Sequence, residues 1–194
     1  VSAQSLKILN GDMKEAQFWD LPSFELLIYS SKGKRSKTQK NQDSCGFVSA
    51  SPSQMALVVS DGMGGHKSGD KASKIVVNTL LGRSTKRRRP FKSAHLVSKI
   101  HSAQQKIVSL KGDGGATLVA AVIEGENLSL YSVGDSVGFV VSPKGDVVYK
   151  TFEHSVTGFA TESGLIKEEE AQKHEQSHII LNALGFSDSR MELS

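Results

Sequence analysis

The chain has 194 residues, 38% of them hydrophobic and 23% charged, which suits one globular domain with its own core and excludes a disordered or low-complexity polymer. The formal charge is +4, and the single cysteine, Cys45, excludes an internal disulfide or a thiolate zinc cage and points to a reducing, cytoplasmic setting. No apolar run approaches the roughly 20 residues of a membrane span, and the N-terminus has no basic-then-apolar leader, so neither a membrane nor a secretory signal is expected.

Residues 1–23 show no clear period and read as an N-terminal tail or extension that packs onto a domain over 24–194. "FELLIYS" (Phe24 to Ser30) reads as a strand, and "SKGKRSKTQKN" (Ser31 to Asn41) as a basic loop. "MALVV" (Met55 to Val59) is a continuous apolar run, typical of a strand covered on both faces. From about Lys67 to Leu81, Ala72, Ile75, Val76 and Leu80 recur at helical spacing. A second helix is expected from about Lys92 to Leu110, with Leu96, Val97, Ile100, Ile107 and Val108 on one stripe. Between the helices, "TKRRRPFK" (Thr85 to Lys92) reads as a solvated loop ahead of a docking surface for an acidic partner; with no aromatic stacking platform beside it, nucleic acid is not an expected partner. Four strand-like runs follow, "ATLVAAVI", "LSLYSV", "VGFVVS" and "VVYKTF", joined by short turns, and they predict an antiparallel meander. "IKEEEAQKHE" (Ile166 to Glu175) predicts a third helix. Strand, helices and then meander make an α+β fold.

One stretch asks for chemistry. "MALVVSDGMGGHKSGDKAS" (Met55 to Ser73) ends an apolar strand in Asp61 and then places four glycines within eight residues. The P-loop spacing fails, because Lys67-Ser68 follows His66; the dinucleotide pattern fails at Lys67; "GDGGAT" (Gly112 to Thr117) fails it too. Glycines also let backbone carbonyls and bulky hydrated groups approach a carboxylate. Asp61, Asp43 in "NQDSCGF", the amide oxygen of Gln42 and the carbonyl of Gly62 are hard oxygen donors, a set that suits Mg²⁺ or Mn²⁺ and not zinc. On these residues alone, a turn or cap role for Asp61 and a loop role for Asp43 weigh equally.

In family order, "NQDS" (Asn41 to Ser44), "VSDGMGGHKSGDKAS" (Val59 to Ser73), "GGATLVAAVI" with "LYSVGDSVGFV" (Gly114 to Val140), and "EHSVTGFATESGLIKEEEAQKH" with "LNALG" (Glu153 to Gly185) resemble the metal-dependent serine/threonine protein phosphatases of type 2C, in their bacterial form. The resemblance covers about residues 25 to 194. It implies a four-layer α-β-β-α sandwich of two antiparallel sheets flanked by helices, and a site whose two Mn²⁺ or Mg²⁺ ions share a water that attacks phosphorus, with a third ion in bacterial members. Carried over, Asp61 bridges both ions, the Gly62 carbonyl binds the second, Asp43 orients metal-bound waters, Gln42 acts through water, and Asp135 of "GDS" helps hold the third.

The resemblance also has departures. The family's phosphate-gripping arginine is replaced by Thr38; Arg35 is the substitute, with a solvated loop charge as the equal alternative, and Val137 stands where an arginine commonly follows "GDS". The chain reads "LGFSDSRMELS" where the family goes on to an Asp-Gly and an Asp-Asn motif, and Asp188 has neither the strand before it nor the glycine after it. A C-terminally truncated domain is therefore expected, with at most one weakly held ion and a bare sheet edge open to dimerisation or strand exchange. His66 reads as structural support near the site ahead of an acid, and His154 as structural ahead of a substrate contact at the flap; His95, His101, His174 and His178 read as surface residues. Two functions are expected: a Mn²⁺- or Mg²⁺-dependent phosphatase acting on phosphoserine and phosphothreonine in a phosphorylated protein, opposing a bacterial-type serine/threonine kinase, or a truncated, non-catalytic module that binds a phosphoprotein or partner.

Overall fold

Alternating apolar residues make the strands, and stripes at three- and four-residue spacing make the two long helices. The computed structural model describes residues 3–33, 40–63, 68–82, 92–110, 114–186 and 191–194. In chain order the elements are β1 (Gln4–Leu9), β2 (Gln17–Leu21), β3 (Phe24–Ile28), β4 (Ser44–Ser51), β5 (Gln54–Ser60), α1 (Gly69–Leu81), a 3₁₀ turn (Ser93–His95), α2 (Leu96–Val108), β6 (Leu118–Glu124), β7 (Asn127–Val133), β8 (Phe139–Val141), β9 (Val147–Lys150), α3 (Val156–Glu162) and α4 (Glu168–Ala171).

One five-stranded antiparallel sheet, in the order β1-β4-β5-β6-β7, carries the molecule. Its two faces are sorted by residue parity. Ala56 and Val58 of β5, with Leu118, Ala120 and Val122 of β6, face the helices and bury against Ala72, Val76, Val77 and Leu80 of α1 and Leu96, Ile100, Ala103 and Ile107 of α2. On β4 and β5, Cys45, Phe47 and Met55 point the other way, onto Leu21 and Ile28 of the β2–β3 hairpin, where Trp19 meets Phe47 edge-to-face at 5.2 Å. Val97 and Val108 of α2 lie off its buried stripe and are exposed.

The α+β class, with antiparallel sheets, is as the sequence predicts. The N-terminal tail is not. Gln4–Leu9 is an edge strand of the main sheet and Gln17–Leu21 pairs with β3. Backbone pairing with β4 orders this segment where periodicity gives no signal. The meander is also corrected: β6 and β7 belong to the main sheet, but β8 and β9 pair only with each other among the described residues. The break falls at Gly134-Asp135-Ser136, where Gly134 adopts φ +100° and turns the chain away. The helix expected over Ile166–Glu175 shrinks to the single turn of α4, which buries no residue and so has no packing to propagate it. Just before it lies α3, whose start is capped by Ser155, its hydroxyl accepting from the Gly158 N–H at 2.9 Å. No described helix is long and apolar enough to cross a membrane.

Candidate functional site

Asp61 follows the last residue of β5, at the end of the central strand of the main sheet, and its backbone is pinned to the neighbouring strand. The Asp61 N–H donates to Thr117 Oγ1 at 3.0 Å, and the Thr117 N–H donates back to the Asp61 carbonyl at 2.9 Å. One residue earlier, the buried Ser60 hydroxyl donates to the Thr117 carbonyl at 2.7 Å. Two residues later, the Met63 N–H donates to the Gly115 carbonyl at 2.9 Å.

The bare backbone after Asp61 has a steric cause. A Cβ on Gly62 would sit 2.3 Å from the Gly69 carbonyl oxygen, at the start of α1, and 2.6 Å from the Gln42 carbonyl oxygen. Three backbone segments meet here with no room for a side chain. Gln42 and Asp43 are thereby brought beside Gly62 and Asp61.

Asp43 precedes β4. The side chain of buried Asn41 accepts from the Asp43 N–H at 3.0 Å and donates to Ser30 Oγ at 2.9 Å. The Asp43 carboxyl lies beside that of Asp61, near enough for the two to share a proton. Asp61 keeps an exposed surface, but neighbouring atoms crowd its carboxyl. Desolvation, then the hydrogen bond to Asp43, then the negative charges of Asp43 and Asp135 push its pKa up to about 7. The third aspartate, Asp135, is half-buried. Desolvation raises its pKa, and the charge of Glu153 adds to the rise.

Thr117 and His154 hold the Asp135 turn. Thr117 Oγ1 lies 2.6 Å from Ser136 Oγ, and a Cβ on Gly134 would meet the Thr117 side chain at 2.8 Å. His154 is buried; its Nδ1 accepts from the Gly134 N–H at 3.1 Å and faces Asn182 Nδ2 at 3.1 Å, which leaves Nε2 to donate to Ser194 Oγ at 2.9 Å. That tautomer is neutral, and burial lowers the ring's pKa. With its ring buried and Nδ1 accepting from Gly134, His154 braces the turn that carries Asp135. Sequence reasoning gives no role to Thr117 or Asn182; the available signals are the "GGAT" stretch that carries Thr117 and the "LNALG" stretch that carries Asn182.

Asp43, Asp61, Gln42 and Gly62 thus converge, and Asp135 acts on Asp61 through its charge. Arg35, His66 and Asp188 lie outside the described residues. Among the described residues, no group of three or more His, Cys, Asp or Glu side chains is preassembled for a metal. The Asp43–Asp61 pair itself fits a hard divalent cation: two touching carboxyls near neutral pH need either a shared proton or a positive charge.

A family model described as Protein phosphatase 2C matches residues 32–185. The chain is 33% identical over 158 residues to the serine/threonine phosphatase stp of Listeria innocua, an alignment that covers 75% of this chain and 61% of that protein. It is 27% identical over 165 residues to the serine/threonine protein phosphatase PstP of Mycobacterium tuberculosis, covering 82% of this chain and 31% of that one. Among solved structures, it resembles the serine/threonine phosphatase Stp1 of Staphylococcus aureus, with a TM-score of 0.71 and 28% identity over 96% of this chain and 72% of the other. The PstP catalytic domain in complex with 2 manganese ions shares the fold, with a TM-score of 0.59 and 19% identity over 100% of this chain and 71% of that one. The chain thus spans 61% of the length of the Listeria relative it matches.

Proposed function

Because the chain belongs to the protein phosphatase 2C family, we propose that its domain hydrolyses phosphoserine and phosphothreonine in proteins, using water activated by Mn²⁺ or Mg²⁺. The observation that carries this reading is the Asp43–Asp61 carboxyl contact at the ends of two adjacent central strands. Asp61, the Gly62 carbonyl, Asp43 and Gln42 would hold the cation. When bound, it supplies a lowered pKa for water and offsets charge on the phosphoryl oxygens.

The remaining roles fall to the chain. Ionised Asp61 would serve as a ligand, and Asp43 beside it would accept a hydrogen bond from the attacking water and orient it. Asp135 extends the negative field toward a further cation. Arg35 grips the phosphate with its paired N–H groups. Arg35→Ala is therefore expected to raise KM more than it lowers kcat, and unchanged kinetics would return Arg35 to a solvated loop charge. The physiological substrate in this reading is a phosphoprotein made by a serine/threonine kinase. Among the described residues these donors form one ligand set, so one weakly held ion and slow turnover are expected.

The test is calorimetric titration with Mn²⁺ beside a phosphopeptide assay. One weak site and slow Mn²⁺-dependent phosphate release, both lost in Asp61→Asn, are expected. Hydrolysis that survives Asp61→Asn to within about threefold, or no Mn²⁺ binding at all, would sink the assignment.

A further inference from the structure

The family match begins at residue 32, yet a residue well upstream of it reaches the site. β1 pairs with β4 as far as Leu9↔Ser44. The next residue on each strand, Asn10 and Asp43, continues the contact, and the Asn10 N–H donates to the Asp43 carbonyl at 2.9 Å. Asn10 has φ +56°, and it is the only non-glycine residue with positive φ among the described residues. Asparagine tolerates this left-handed conformation better than most side chains. The turn it makes brings its own amide round to the same acceptor. Asn10 Nδ2 donates to the Asp43 carbonyl at 3.3 Å and to Ser73 Oγ at 3.3 Å.

Ser73, on α1, passes the constraint on. Its hydroxyl donates to the Gln42 carbonyl at 2.5 Å and lies 3.1 Å from Ser44 Oγ. Gly11, next after Asn10, accepts from Asn41 Nδ2 at 2.6 Å, and Asn41 in turn accepts from the Asp43 N–H. Two residues at the end of β1 therefore hold four consecutive residues, Asn41 to Ser44, directly or through Ser73 and Asn41.

We propose that Asn10 is a positioning residue for Asp43: the N-terminal strand, outside the family-matched segment, sets the Gln42–Asp43 backbone and so the separation of the two site carboxyls. The proposal rests on the metal-dependent reading above for its consequence, but its geometry does not need that reading. Outer residues that orient metal ligands commonly change metal affinity by 10- to 100-fold when lost.

Asn10→Gly is the sharpest test. It keeps the backbone donor and allows φ +56°, and it removes the side-chain bonds together with the buried, unpartnered Oδ1. Thermal melting followed on Trp19, the single tryptophan, checks folding; Mn²⁺ calorimetry and amide NMR of the metal-free chain read position. Expected is a Mn²⁺ affinity about 10-fold weaker in Asn10→Gly, with a cooperative melt retained and amide shifts concentrated at Gln42, Asp43 and Ser44. Equal Mn²⁺ affinity in wild type and variant overturns the proposal. If the wild type binds no Mn²⁺, the metal reading fails separately, and the NMR arm decides: shifts confined to residues 41–44 support Asn10 as the positioner, and an unmoved spectrum there overturns it. If Asn10→Gly does not fold, Ser73→Ala cuts the branch of the link that runs from Asn10 through Ser73 to Gln42, and the same two criteria are read at Gln42.

Discussion

Thr117 holds the backbone of Asp61 from both sides, with its hydroxyl accepting the Asp61 N–H at 3.0 Å and its own N–H donating to the Asp61 carbonyl at 2.9 Å. The same hydroxyl meets Ser136 next to Asp135. Thr117→Val keeps the shape and the backbone bond but leaves the Asp61 N–H without an acceptor. An unsatisfied group of this kind costs about 1–3 kcal/mol. Both a lower melting temperature and weaker Mn²⁺ binding are expected, and an unchanged Mn²⁺ titration would show that Thr117 serves stability alone.

Asp61→Asn separates function from stability. The folded-state pKa of Asp61 lies near 7, above the ordinary carboxylate value, so folding favours its protonated form. That contribution to stability is full below about pH 4 and is lost as the pH rises through the folded pKa. Desolvation is the first cause of the raised pKa, followed by the neighbouring Asp43 and the charge of Asp135. Asparagine cannot ionise. In EDTA, the melting temperature of Asp61→Asn minus that of the wild type should grow from about pH 5 to about pH 8, while Mn²⁺ binding disappears. A difference that stays flat across that range would show that burial and the neighbouring aspartates do not hold Asp61 above the ordinary carboxylate range.

Gly62→Ala tests the three-way backbone contact. Its methyl group would collide with two carbonyl oxygens at 2.3 and 2.6 Å, neither of which is the end of a flexible side chain. A loss of about 2 kcal/mol or more is expected in chemical denaturation. A wild-type midpoint would mean that Gln42 does not pack against Gly62 in solution.

His154→Ala removes a buried ring and orphans the Gly134 N–H, at a cost of about 3 kcal/mol near pH 7.5. Because burial lowers the ring's pKa, its stabilisation is present above its unfolded value of about 6.5 and is lost as the pH falls through the folded value. The deficit of the alanine variant should therefore shrink below about pH 6. A deficit independent of pH would argue against the neutral tautomer.

Parts of the site are legible in the sequence because local rules produce them. An apolar run ending in Asp61 and glycine predicts a strand edge with close backbone approach, and Asp43 sits at the corresponding edge of the adjacent strand. Helices α1 and α2 announce themselves by stripe. Thr117 is not legible, since its bond to Asp61 spans 56 residues and depends on the β5–β6 register. Asn10 is hidden for the same reason, in a segment whose weak pattern conceals a paired strand. The third helix is drawn too long because "KEEEAQ" has helix-forming residues but no face to bury, and α3 goes unseen because Gly158, whose backbone packs against the Glu153 carbonyl, interrupts it in sequence.

The strand pairing also sets an order in which the molecule can come apart. β4 and β5 are each bonded on both edges and covered on both faces, so their amides should exchange with solvent only when the whole sheet opens. β8 and β9 have only each other among the described residues, and Phe139, Val141, Val147, Val148 and Tyr149 are exposed, which makes a two-stranded ribbon of this kind the first element to open. In deuterium exchange, Phe139–Lys150 should label early while Ser44–Ser60 stays protected. Asp43 and Asp61 are thus anchored to the slowest-exchanging strands of the fold, and the ribbon can fray and re-form without moving them.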